Sequence, residues 1–209
     1  LKDSQPFPGP ARKLILENVN ELEERIKRLR QLGNSVHVED VRQNFEKIVN
    51  QKEESRIDLI EACLWIARLD DPDHEVAGYV EYFESLAADL LAEAGNAKTD
   101  EEKLLLLNRF LFEQNGFHGS RHEYYRPENS YLSTVLEDRE GIPITLSILY
   151  IELGRKLGLS IDGIGLPGHF VVACNLPEQS PQLIDVFEGG KRLSREDAKF
   201  IVSRATARG

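Results

Sequence analysis

Residues 143 to 157 read PITLSILYIELGRKL, and no other stretch constrains the fold as much. Ile144, Leu146, Ile148, Leu149, Tyr150, Ile151 and Leu153 leave the run almost no polar side, so a helix here has to be buried around most of its circumference. Pro143 suits the first turn of such a helix, where a missing N–H breaks no helical hydrogen bond. Three short β-like runs follow, SIDGIGL, HFVVACNL and QLIDVF, divided by Gly and Pro turns. A buried helix followed by a short antiparallel sheet is the arrangement these residues call for.

The chain ahead of this helix reads as helical. Residues 1–10, with three prolines and a glycine, form an irregular lead-in. From Ala11 to about Gln31, Leu14, Ile15, Val19, Leu22, Ile26 and Leu29 recur at helical spacing, and Gly33 is expected to end that helix. A short helix after His37, another in RIDLIEACLWIARL and a long one over about Glu75 to Glu93 come next. Thr99 with Glu102 three residues later makes a capping box for a further helix, and Ser194 with Asp197 marks the start of a last one. The fold class is therefore α+β, with a lead-in at 1–10, a helical portion at 11–115 and a small core at 116–209.

Charge and cysteine content narrow the function classes. With 36 acidic against 26 basic residues and a net charge of −10, the chain has no overall field for coating nucleic acid, so none is expected as a partner. No apolar run approaches the roughly 20 residues of a spanning helix, so no membrane is expected either. Cys63 and Cys174 share no disulfide pattern, which fits a reducing compartment and a cytoplasmic location. The start at Leu1 and the absence of Met mark a processed or excised piece; if a targeting segment preceded Leu1, an organelle stroma is the other location.

The chemistry-bearing residues lie in the second half. A nucleophile in the first turn of a buried helix feels the positive end of the helix dipole, which favours a thiolate. A His on a neighbouring strand then serves as base, and a carboxylate on the next strand orients it. His169 opens one expected strand and Asp185 sits in the next, so a hairpin across residues 177–181 brings them to face each other within a residue or two. At the helix start, however, stands Pro143, which has no nucleophilic atom.

The runs ENSYLSTVLEDREGIPITLSILYIELGRKLGL, GIGLPGHFVVA and IDVFEGGKRLS together resemble the transglutaminase-like superfamily. The likeness covers about Leu104 to Leu193. It is to the branch typified by a bacterial SirB-type regulator protein and present inside an animal F-box protein. The resemblance implies a papain-like core in which His169 and Asp185 match the family's catalytic His and Asp. Gly141, Ile142 and Pro143 match the Gly, variable residue and Cys that open the central helix of true transglutaminases. It also implies that proline at the cysteine position is usual for this branch, while Val186 and Glu188 replace its usual Pro and Asn.

Other residues could carry chemistry, each with a plainer reading beside it. Thr145 and Ser147 are hydroxyls near the helix start, or simply helix-packing and capping groups. Cys174 lies five residues from His169 on one strand and so on the opposite face, as a core thiol; Cys63 sits on an apolar helix face beside Trp65. His118, His122 and Glu123 have a metal-like spacing without a helix to hold it, so no metal or other cofactor is expected. Gly163, Gly165 and Gly168 read as turns rather than a phosphate loop.

Two functions stay open. One is a non-catalytic, regulatory or adaptor module that binds a protein or peptide partner through the former substrate cleft, with Tyr124, Tyr125, Arg126, Asn129, Tyr131 and His169 as binding residues. The other is a hydrolase or transferase with an unconventional nucleophile, served by His169 and Asp185. The sequence leaves the oligomeric state open.

Overall fold

A computed structural model describes residues 9–50, 57–121, 127–177 and 180–206. By contact density the chain divides between Asn44 and Phe45 into two units. The expected junction at 115/116 is not where packing divides it: Leu104, Leu107, Phe110 and Leu111 belong to the same hydrophobic core as Leu146, Val172 and Ile184.

The first unit consists, in its described part, of helix α1, Gly9–Val49, which runs on into the second unit. Here the structure corrects the sequence reading. Gly33 does not end the helix, and the two helices expected on either side of it are one. A glycine inside a helix lowers its stability by about 1 kcal/mol relative to alanine, which is too little to break a rod of this length. No positive φ is found at Gly33, so the left-handed turn that stops helices is absent.

The second unit is layered around α6, Pro143–Lys156, the helix the sequence marked as buried. Leu146, Leu149, Tyr150 and Leu153 are fully buried. Each such side chain contributes roughly 1.5–3 kcal/mol, and all four belong to the one hydrophobic core of this unit. On one side it meets a four-stranded antiparallel meander of β3 (Ile161–Leu166), β4 (His169–Cys174), β5 (Gln182–Asp185) and β6 (Lys191–Leu193), in that spatial order. The approach is close: a Cβ on Gly154 of α6 would stand 2.4 Å from Ile161 Cδ1 of β3.

The helices α2 (Leu59–Ala67), α3 (Val76–Glu93), α4 (Asp100–Asn108) and α5 (Leu132–Asp138) supply the rest of the cover, and each contacts α6. Their starts follow local rules. Asp58 caps α2 by accepting from the Glu61 N–H. At α4, Thr99 and Glu102 form the expected reciprocal box, with Glu102 Oε2 also accepting from the Lys98 N–H at 2.7 Å. A π-helical turn, Arg109–Gln114, continues α4, and no sequence signal announced it. Two short strands, β1 (His118–Gly119) and β2 (Glu140–Gly141), pair in parallel just ahead of α6. The last helix, α7 (Arg195–Thr206), starts where Ser194 and Asp197 exchange hydrogen bonds. Among the described residues no helix is long and apolar enough to cross a membrane.

Candidate functional site

The β4–β5 register pairs Val172 with Ile184 and Cys174 with Gln182. Continued by one step, it sets Asp185 across from Val171 and puts His169, two residues along, on the same face. The two side chains meet: His169 Nε2 is 2.8 Å from Asp185 Oδ2. Asp185 is 4% exposed, and its second oxygen accepts the Glu188 N–H at 3.2 Å, so both oxygens of the buried carboxylate are engaged. The hydrogen bond to Asp185 raises the His169 pKa above its ordinary value; burial works against this, and the charges of Asp185 and Glu188 reinforce it.

The turn that follows β5 holds this geometry. Gly189 and Gly190 have φ of 69° and 77°, left-handed values that favour glycine. A Cβ on Gly190 would lie 2.5 Å from the Asn108 side chain and 2.6 Å from Phe112. Asn108 in turn donates to the Gly190 carbonyl and accepts from the Tyr150 hydroxyl, tying the turn to both α4 and α6. Asp185 is thus fixed from behind by the helical core.

His169 and Asp185 line a cavity of about 670 Å³ between the 167–169 turn, β6 and α7. Leu193, Phe200 and Ile201 give it an apolar wall, and Lys191, Arg204, Glu188 and Asp197 bring charges of both signs to its edge. The α7 and β6 residues were missed by sequence reasoning. Their only sequence signal was the Ser194–Asp197 cap, which marks where a helix starts and says nothing of what it faces.

The start of α6 is a separate arrangement. Pro143 is buried at the first turn but does not line the cavity. Thr145 Oγ1 accepts from the Ile142 N–H at 3.2 Å and lies 3.2 Å from the Asn129 carbonyl, to which it can donate. Ser147 Oγ donates to the Pro143 carbonyl at 2.7 Å. Both hydroxyls therefore serve the helix end, each paired with backbone. The connection to His169 runs through Phe187: its ring meets the imidazole edge-on at 6.3 Å and packs against Gly119, where a Cβ would stand 2.5 Å away. Gly119 pairs with Gly141, two residues before Pro143.

The residues expected to bind a partner are dispersed. Asn129 is a correction: it is buried, and its side chain donates to Ser120 Oγ at 3.0 Å, so it braces the loop beneath α6 instead of facing solvent. Tyr131 is half-buried ahead of α5, its hydroxyl bonded to Asp70. Tyr124, Tyr125 and Arg126, like His122 and Glu123, lie outside the described residues. Cys174 is fully buried and Cys63 half-buried, both free. Burial, reinforced by the charges of Glu152 and Asp58, pushes the Cys63 thiol up to about 11, and burial also raises that of Cys174.

A sequence model described as transglutaminase-like superfamily matches residues 77–209. A UPF0162 protein of Xylella fastidiosa is 36% identical over 148 residues, covering 70% of this chain and 52% of its own length. A UPF0162 protein of Vibrio cholerae is 28% identical over 137 residues, 64% of this chain and 49% of its own length. Human F-box only protein 21 is 31% identical over 105 residues, 47% of this chain and 17% of that protein. The chain thus spans about half the length of the UPF0162 relatives. No solved structure matches it.

Proposed function

Because the chain belongs to the transglutaminase-like superfamily, we propose that it is a non-catalytic member of the SirB-type branch, a regulatory or adaptor module that holds a protein or peptide segment in the cavity beside His169. The observation that carries this reading is the combination at the site: a paired His169 and Asp185 facing a cavity of about 670 Å³, and a buried proline, Pro143, opening α6; in this reading Pro143 stands at the cysteine position of the superfamily's enzymes. An imidazole without a neighbouring thiol lacks the nucleophile that the superfamily's cysteine enzymes deprotonate. The Thr145 and Ser147 hydroxyls are engaged at the helix end, and the raised pKa values of Cys63 and Cys174 keep both thiols protonated at neutral pH.

The cavity suits an extended peptide, with an apolar wall for one side chain and charges of both signs at its edge. Tyr124, Tyr125 and Arg126 belong to this proposal as additional contacts, with the site in a cytoplasmic or stromal protein. The test pairs two assays on the purified chain. A peptide array should yield binders whose affinity falls at least about tenfold in Arg204→Glu or Phe200→Ala, while glutaminyl-peptide turnover and fluorophosphonate labelling stay at background. Turnover that disappears in His169→Ala, with folding and peptide binding intact, would replace this reading with a hydrolase or transferase that uses His169 as base.

A further inference from the structure

Since Gly33 does not interrupt α1, a pattern appears that the divided reading concealed. Ile15, Val19, Leu22, Ile26, Leu29, Gly33 and Val36 follow one another at alternating steps of four and three residues. That is a heptad seam, with Val19, Ile26 and Gly33 at the a positions and Ile15, Leu22, Leu29 and Val36 at the d positions. Every apolar member of the seam is between 41% and 63% exposed. We propose that α1 pairs with α1 of a second copy of this chain in an antiparallel coiled coil centred between Lys27 and Arg28.

The charges beside the seam choose the orientation. Glu23 and Arg30 occupy e positions and Arg25 a g position. In a parallel pair, g and e' residues of successive heptads meet, which sets Arg25 against Arg30' twice over and leaves Gly33 opposite Gly33' with no side chain between them. In the antiparallel pair, a faces d' and e faces e'. Glu23 then meets Arg30' at both symmetry-related sites, and Leu22' fills the space beside Gly33. Ile26 stacks on Leu29', and Val19 on Val36'. Sliding the antiparallel pair by one heptad in either direction places Arg30 on Arg30' or Glu23 on Glu23'. The register centred between Lys27 and Arg28 therefore satisfies the flanks and the seam from Val19 to Val36, with Ile15 meeting Asp40' at each end, and it is self-complementary, as a two-fold dimer requires. This pairing does not depend on the function proposed for the His169 cavity.

Sedimentation velocity on the whole chain tests it. The expected result is a concentration-dependent shift from the 23.7 kDa monomer to twice that mass. Ile26→Asp puts a charge in the seam and should weaken the dimer on the order of 100-fold. Glu23→Arg should weaken it by about tenfold, and adding Arg30→Glu should restore it, a recovery that a purely structural role for either residue would not produce. A spin label at residue 14 should lie about 40 Å along the axis from its mate, whereas a parallel pair would hold the two labels level. A chain that stays monomeric at all concentrations overturns the proposal. So does a level pair of labels, or an Ile26→Asp variant that lowers the melting temperature without changing mass, since the stripe would then be covered by its own chain.

Discussion

Two histidines, His169 half-buried and His74 buried, show what surroundings do to the same side chain. His169 closes on a buried carboxylate beside an open cavity, and its pKa is raised by that hydrogen bond. His74, in the connection between α2 and α3, is 6% exposed and stacks on Tyr79 with ring centroids 4.6 Å apart. Its Nε2 has no partner among the described residues, and burial lowers its pKa. The surroundings favour the charged form of His169 and the neutral form of His74. Near His74, the charge is handled by neighbours instead: the Tyr79 hydroxyl bonds Glu137, whose carboxylate pushes that phenol up to about 12. At His74 burial outweighs the nearby carboxylates of Asp71 and Glu137, while at His169 a direct hydrogen bond to Asp185 outweighs burial, and His169 borders a cavity that a ligand could enter.

The largest expected effect comes from removing the carboxylate. Asp185→Ala leaves both the His169 ring nitrogen and the Glu188 N–H without an acceptor, for a loss of about 3 kcal/mol of unfolding free energy in urea titration. A variant as stable as the parent would show that the pair holds nothing together. Next, Gly119→Ala drives a methyl group into Phe187 and its backbone, which should lower stability by about 2 kcal/mol and move the ring off His169. A chemical shift of the His169 ring protons that stays unchanged would break that link.

Dependence on pH should separate the two histidines by sign. His169 has a folded pKa above the unfolded value of about 6.5, so its contribution is fully present below that value and fades as pH rises through the folded pKa. His74 is the reverse: its contribution is present above about pH 6.5 and is lost as pH falls through the depressed folded pKa. Melting temperatures between pH 5 and 8 for His169→Gln and His74→Phe, each subtracted from the parent, should slope in opposite directions. Equal slopes would mean that the two sites are electrostatically alike. At neutral pH, His74→Phe keeps the stacking and removes the unpartnered nitrogen, so its stability should lie within about 1 kcal/mol of the parent or above it. The smallest effect is on thiol chemistry: neither Cys63 nor Cys174 should react with iodoacetamide in the folded state faster than a free cysteine.

The parts of this fold that were legible in the sequence are those with local causes. The α6 boundaries follow from an apolar run and a proline, the α4 and α7 starts from capping pairs, and β3 to β5 from alternation broken by Gly and Pro. The pairing of His169 with Asp185 was readable because a short hairpin leaves few registers. What failed was the weighing of single residues against long elements. Gly33 was given the power to stop a helix that its neighbours sustain, and Asn129 was placed in a binding loop when its hydrogen bond to Ser120 holds it inside. The α7 side of the cavity was out of reach because Phe200 and Arg204 face His169 only through tertiary packing across more than thirty residues of chain.

The meander has a further consequence, for the order in which the chain folds. β3, β4, β5 and β6 are neighbours in both sequence and space, so each pairing closes a loop of only a few residues and needs little chain entropy to form. The parallel pairing of His118 with Glu140 closes a much longer loop and becomes favourable only when α5 and α6 are already in place. Amides of Val171 to Cys174 should therefore gain protection early in a pulse-labelled refolding experiment, and the His118 and Ser120 amides late. Simultaneous protection of both groups would show that the sheet waits for the helices.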